Sequence, residues 1–239
     1  MVNLFIFNFL ILCFMNSPSF KIYNVIYFLT CFLSMMFIDN DKSIIEMGLK
    51  ILTLVVMSFM YLTYATKINY WYLLILMFCI ATDALFIFDQ EFLNEGALLV
   101  VLTRFTYLII LRKTILSAKL EAILSYLIPS TFVFVILSYL FYPYVEDMLM
   151  SLFIICFLNL MIIGVSFYKY LNKMTRDNLY FMLGIILIGS SDFLIAFNKY
   201  LDYQLYYVIT YTVMYYIARY LICIAMINEK KNYQQIFLR

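Results

Sequence analysis

Apolar runs of roughly twenty residues, cut at intervals by short charged connections, occupy this chain from residue 21 to residue 226. Because an α-helix rises about 1.5 Å per residue and the hydrocarbon core of a bilayer is about 30 Å thick, a spanning helix needs roughly 20 mainly apolar residues. On that rule spans fall near residues 21–38, 48–66, 69–88, 96–112, 122–142, 148–169, 179–198 and 205–226. A further apolar stretch near residues 3–16 reads as a ninth helix, an interfacial segment or a signal-peptide core. It has no basic flank and no small-x-small cleavage site, which argues against removal. The expected fold is an all-α membrane protein, a bundle of eight core transmembrane helices with a short N-terminal ninth as an option. It forms a single polytopic domain over residues 1–239: an ambiguous segment (1–20), the bundle (21–228) and a cytoplasmic tail (229–239).

Composition supports that class and closes others. Hydrophobic residues make up 67% of the 239 positions and charged residues 13%, against about 45–50% and about 25% in a soluble domain. A net charge of +2 spread along the chain leaves no nucleic-acid footprint, so the 24 Phe and 23 Tyr are assigned to lipid contacts and interfacial belts. Histidine is absent, which excludes His-based zinc sites, Ser-His-Asp triads and haem ligation by His. The five cysteines lie alone in apolar runs with no C-x-x-C spacing. No metal and no cofactor is expected.

The connections alternate in sign. Lys21, Lys67, then Arg112, Lys113 and Lys119, then Lys169, Lys173 and Arg176, and finally Lys230, Lys231 and Arg239 mark one side. The opposite connections are acidic or mixed: Asp39, Asp41 and Glu46 with Lys42; Asp89, Glu91 and Glu95; Glu146 and Asp147; Lys199 with Asp202. The positive-inside rule then puts the C-terminus in the cytoplasm. The expected location is the cell (inner) membrane of a bacterium.

Four charges lie within the spans: Asp83 in CIATDALFIF, Asp192 in LIGSSDFLIAF, Arg104 in VVLTRFTYLII and Arg219 in YYIARYLICI. Each costs about 2.5–3.5 kcal/mol at a helix centre, so such residues face the bundle interior or a wet cavity and find a partner. Counted from the non-cytoplasmic helix ends, both Asp residues lie about 8–9 Å in and Arg104 about 12 Å, with Lys50 near the same boundary. Arg219 lies about 20 Å in but has a long side chain to reach with. The expectation is one polar cluster of two carboxylates and two or three cations. Ala81, Thr82 and Ala84 around the first Asp, and Gly189, Ser190 and Ser191 before the second, would allow close helix approach and hydroxyl contacts to the carboxylates. A purely structural role for these charges, fixing helix register, is the competing reading.

These same segments resemble the YhhN family of multi-pass membrane proteins, whose characterised members are lysoplasmalogenases. GSSDFLIAFNKY is similar to that family's late small-Ser-Asp helix, and TDALFIFDQEFLNEGALLVVLTRFTY to its Gly-Asp helix, acidic loop and following helix. KILTLVVMSFMY is similar to its Lys-Pro helix, and YYIARYLI to the Tyr-Tyr-x-Ala-Gln run of its last helix. Order and approximate spacing agree from about residue 45 to residue 222. The departures are Thr82 for Gly, Ile51 for Pro, Arg104 for a His three residues before Tyr107, and Arg219 for Gln. The two Arg residues are permanent cations and give up no proton at any useful pH.

The resemblance implies hydrolysis of the vinyl ether bond of a lysophospholipid, with Asp83 and Asp192 as the catalytic acid–base pair. One carboxylic acid would protonate the vinyl carbon, and a carboxylate would stabilise the oxocarbenium-like ion or activate the attacking water. Lys50, Arg104, Tyr107, Ser191, Tyr215 and Arg219 are then the candidate substrate contacts, the cations for phosphate and the two tyrosines as cavity lining. The partner is a membrane lipid. Ser190 and Ser191 lack a base of the usual kind, which sets nucleophilic Ser chemistry aside. The alternative is a non-catalytic membrane protein, a transporter, lipid binder or degenerate family member, whose Asp and Arg residues are structural or line a pathway.

Overall fold

The computed structural model describes residues 18–38, 43–85, 93–117, 128, 131–133, 135, 136, 139, 149–200 and 203–229. Seven helices are bounded there: α1 (Pro18–Met36), α2 (Ser43–Tyr64), α3 (Tyr70–Leu85), α4 (Leu93–Ser117), α5 (Leu149–Asn172), α6 (Arg176–Tyr200) and α7 (Leu205–Asn228). Each overlaps one span read from the sequence. The expected span at 122–142 is represented by a few helical residues only, and the stretch at 3–16 and most of the tail at 229–239 lie outside the described residues. No strand occurs among the described residues.

Among the described residues four helical segments, Ile44–Tyr64, Ser151–Asn172, Arg176–Lys199 and Leu205–Asn228, are long and apolar enough to cross a membrane. Phe20–Met36 and Tyr70–Leu85 are shorter apolar helices. The side chains on α1 show which solvent the bundle is built for. Its outward face carries Ile22, Val25, Ile26, Leu29, Phe32, Leu33 and Met36, all exposed, while Asn24, Thr30 and Ser34 are buried. That spacing is one helical stripe, but inverted relative to a water-soluble helix, which turns its apolar stripe inward. Exposing the apolar face and burying the polar one is favourable where the solvent is hydrocarbon.

Consecutive helices pack against one another, and α7 returns to touch α1 and α2, closing the bundle. The closure uses polar and aromatic contacts. Tyr27 Oη donates to the Tyr216 carbonyl at 2.8 Å, Ser34 Oγ and Tyr216 Oη are 2.5 Å apart, and Tyr220 Oη donates to Asn24 Oδ1 at 3.1 Å. The Tyr27 and Tyr220 rings stack with centroids 5.7 Å apart. Hydrocarbon provides no hydrophobic drive between helices, so close packing and interhelical hydrogen bonds carry more of the association. Every residue of α7 from Ala218 to Ile227 is buried, the pattern of a helix surrounded by protein on all sides.

Close approach is concentrated between α6 and α7. A Cβ on Gly184 would lie 2.6 Å from Ile222 Cγ1 and 2.9 Å from the Ala218 carbonyl oxygen, so only glycine admits the α7 backbone there. Gly189 is tight in a milder way, its Cβ position lying 3.0 Å from Ile163 Cδ1 of α5. These two glycines bring α7 and α5 close to α6 in the turns that precede Asp192.

The connections that carry Lys67, Lys169 and Lys173 meet at one end of the bundle. Thr114, Lys169 and Lys173 line a cavity of about 190 Å³ with Glu229, and Thr66 and Lys67 line one of about 200 Å³ with the same Glu229. Lys169 Nζ donates to Glu229 Oε1 at 3.3 Å and stands 5.2 Å from the centre of the Phe181 ring.

Candidate functional site

Inside the bundle the four charges form two ion pairs. Arg104 of α4 meets Asp192 of α6, with Nη2 to Oδ2 at 2.5 Å. Arg219 of α7 grips Asp83 of α3 in a bidentate pair, Nη1 to Oδ2 at 2.7 Å and Nη2 to Oδ1 at 3.0 Å. A planar guanidinium offers two parallel N–H groups at the spacing of two carboxylate oxygens, which makes this the strong geometry for such a pair.

Tyr215 joins the two pairs. Its hydroxyl donates to Asp192 Oδ1 and accepts from Arg104 Nη2 at 3.3 Å. Its ring lies under the Arg219 guanidinium, 5.0 Å from Cζ to the centroid. The local reason is helical periodicity: positions 215 and 219 are four apart on α7, so their side chains stand on one face, one turn above the other. Asn159 of α5 completes the shell, its Nδ2 donating to Asp192 Oδ2 at 2.8 Å. Five helices, α3 to α7, thus contribute to one polar centre.

Asp192 and Asp83 are held differently. Asp192 accepts from Arg104, Asn159 and Tyr215, each on a different helix, whereas Asp83 is held through Arg219 alone among the described residues. In both pairs the carboxylate oxygens serve as acceptors. Two donors are left over. Among the described residues Arg104 Nε and Arg219 Nε are buried without a hydrogen-bond partner, and leaving a buried donor unmade costs about 1–3 kcal/mol, more for a charged group.

The other residues singled out from the sequence stand elsewhere. Lys50, expected at the level of the Asp residues, is held by Glu46 one turn earlier on α2, at 2.5 Å. This is a local pair at i, i+4, and a neighbour already on the same helix face competes with any distant carboxylate. Ser191 is fully buried with Oγ donating to the Leu187 carbonyl at 2.7 Å, and Thr82 Oγ1 donates to the Phe78 carbonyl at 2.8 Å. Both hydroxyls therefore satisfy their own helices instead of the carboxylates, the usual local alternative for Ser and Thr in a helix. Tyr107 is buried edge-on to Phe181, with centroids 6.3 Å apart. Asn159 was not singled out from the sequence, although a lone amide in the apolar run CFLNLMIIG is itself a signal that a polar partner lies across the interface.

Among the described residues no group of three or more His, Cys, Asp and Glu is placed to hold a metal ion. The arrangement can bind an anion through Arg, present carboxylate oxygens to a cation, and pass a change at one ion pair to the other through Tyr215. No protein family, no curated protein and no solved structure matches the chain.

Proposed function

We propose that this chain is a YhhN-like membrane hydrolase that opens the vinyl ether bond of a lysophospholipid, releasing a fatty aldehyde and a glycerophospho-alcohol. The observation that supports this reading is the convergence of Asp83 and Asp192, from separate helices, on one polar centre linked through Tyr215. In the proposed reaction one Asp, freed from its arginine, protonates the vinyl carbon. The other stabilises the oxocarbenium-like ion or activates water, and the hemiacetal then collapses to aldehyde and alcohol. Arg104 and Arg219 hold the phosphate and Tyr215 positions Asp192; Lys50, Tyr107 and Ser191 keep to structural roles.

The proposed setting is a bacterial inner membrane crossed by eight helices, with the C-terminus in the cytoplasm. It is supported by the clustering of Lys67, Lys169 and Lys173 at the end of the bundle where α7 finishes. The test is aldehyde release from purified protein given vinyl ether and ester lysolipids side by side. Product from the vinyl ether alone, lost in Asp83→Asn and Asp192→Asn, is the expected result. Wild-type-like release by both variants removes the two residues from catalysis.

One observation favours a second reading, that of a non-catalytic bundle. Each Asp already has an arginine in good geometry, as polar groups that fix helix register do. Under that reading the wild-type protein releases no aldehyde from either lipid, while the Asp variants still lose stability.

A further inference from the structure

The end of the bundle where α7 finishes carries two opposite charges that line one cavity without pairing. Lys67, in the connection between α2 and α3, and Glu229, just past α7, both line the cavity of about 200 Å³. Glu229 accepts from Lys169 through Oε1 at 3.3 Å; its Oε2 and the Lys67 ammonium have no hydrogen-bond or ionic partner among the described residues. A cation and a carboxylate oxygen on the walls of one small cavity match a ligand that carries the reverse charges at its two ends. The wall beside Lys67 is fixed and aromatic. Asn69 N donates to Tyr61 Oη at 2.7 Å and Asn69 Oδ1 accepts from Trp71 N at 3.1 Å, which ties the connection to α2 and to the first turn of α3. Tyr70 and Trp71 line the same cavity and are exposed. The connection begins where α2, a helix long enough to span, ends, and Trp and Tyr in such a place stand at the level of the lipid headgroups. About 200 Å³ is less than the roughly 300–1,000 Å³ of a site for a whole drug-sized ligand. It suits a headgroup whose acyl chains stay in the bilayer.

We propose that this cavity binds the headgroup of a zwitterionic phospholipid, its phosphate on Lys67 and its ammonium on Glu229 Oε2. The ring of Trp71 adds to the attraction for the ammonium. A neutral glycerolipid offers neither charge, and an anionic phospholipid without an amine sets its negative charge against Glu229 with nothing in return. The lipid bound in this way ties the α2–α3 connection to the end of α7. Glu229 lies ten residues along the chain from Arg219, about 15 Å at the helical rise, so the site is separate from the ion-pair centre. It goes beyond the proposed hydrolase, and its occupancy needs no turnover.

Trp71 is the single tryptophan of the chain, so its emission reads this cavity directly. The full chain in detergent is titrated with a short-chain phosphatidylethanolamine, a phosphatidylglycerol and a diacylglycerol of the same chain length. The expected result is a saturable change in emission with phosphatidylethanolamine, binding about tenfold weaker for phosphatidylglycerol, and none for diacylglycerol. Lys67→Gln should weaken phosphatidylethanolamine binding about tenfold, and its exposed side chain has no partner to lose among the described residues. Glu229→Gln should erase the preference for phosphatidylethanolamine over phosphatidylglycerol. Equal affinity of the wild type for the two phospholipids, or unchanged binding by Lys67→Gln, overturns the inference. Glycerophosphoethanolamine, the same headgroup without chains, separates the sources: much weaker binding supports the lipid, and equal binding assigns the site to a soluble phosphate–amine compound and overturns it. If Glu229→Gln does not fold, Lys67→Gln and the lipid comparison decide. A wild type that releases no aldehyde yet shows this headgroup preference keeps the inference and loses the hydrolase; an active protein without the preference does the reverse.

Discussion

A charged side chain in an apolar helix must be neutralised by a partner, and the partners here differ in how much depends on them. Arg104→Gln strips Asp192 of its counter-ion and leaves Asn159 and Tyr215 as its donors among the described residues. Breaking a buried pair from one side costs about 3–5 kcal/mol, so this variant should fold only weakly, as read by unfolding in mixed detergent. Asn159→Leu removes a single interhelical hydrogen bond, and such bonds contribute about 0.6–1.7 kcal/mol in membrane bundles; the same assay should find a loss in that range. Lys50→Met should change stability by about 0.5 kcal/mol and leave aldehyde release intact, since its pair with Glu46 is a local, partly buried i, i+4 contact. The four buried charges could be read from the sequence because each breaks an apolar run. Lys50 shows the limit of reading by depth alone, although Glu46, four residues earlier, was there to be seen as the nearer partner.

At the scale of helices the glycines separate packing from propensity. Gly184→Ala drives a methyl group into the Ala218 carbonyl and Ile222. Because a backbone oxygen cannot rotate away, α6 and α7 must part. Overpacking of this kind costs about 1–3 kcal/mol, and a lowered thermal midpoint in detergent is expected. Gly48→Ala is the control: nothing lies within 4 Å of its Cβ position on α2, and glycine in a helix interior is about 0.5–1 kcal/mol worse than alanine. That substitution should raise the midpoint slightly or leave it unchanged; a drop as large as that of Gly184→Ala would remove the packing explanation. The helices were legible because twenty-residue apolar runs leave few other options. The α6–α7 contact was not, since a glycine in an apolar run looks the same whether it faces lipid or another backbone.

For the whole molecule, the gathering of Lys67, Lys169 and Lys173 at one end sets up a topology experiment. Cysteines introduced at Met174 and Tyr203, both exposed in connections flanking α6, should label on opposite sides. With an impermeant maleimide, Tyr203→Cys reacts in intact cells and Met174→Cys only after lysis; the opposite pattern inverts the proposed orientation. What the amino-acid order determined unaided is the kind of solvent, the helical class and the four residues that cannot be left alone in that solvent, because apolar run length and desolvation are properties of a segment. Which acid meets which arginine, that Tyr215 joins the two pairs, that Asn159 enters and Lys50 stays out, was decided only when the helices rotated against one another. Pairing depends on the facing of residues 88 and 136 positions apart, and no local periodicity encodes that facing.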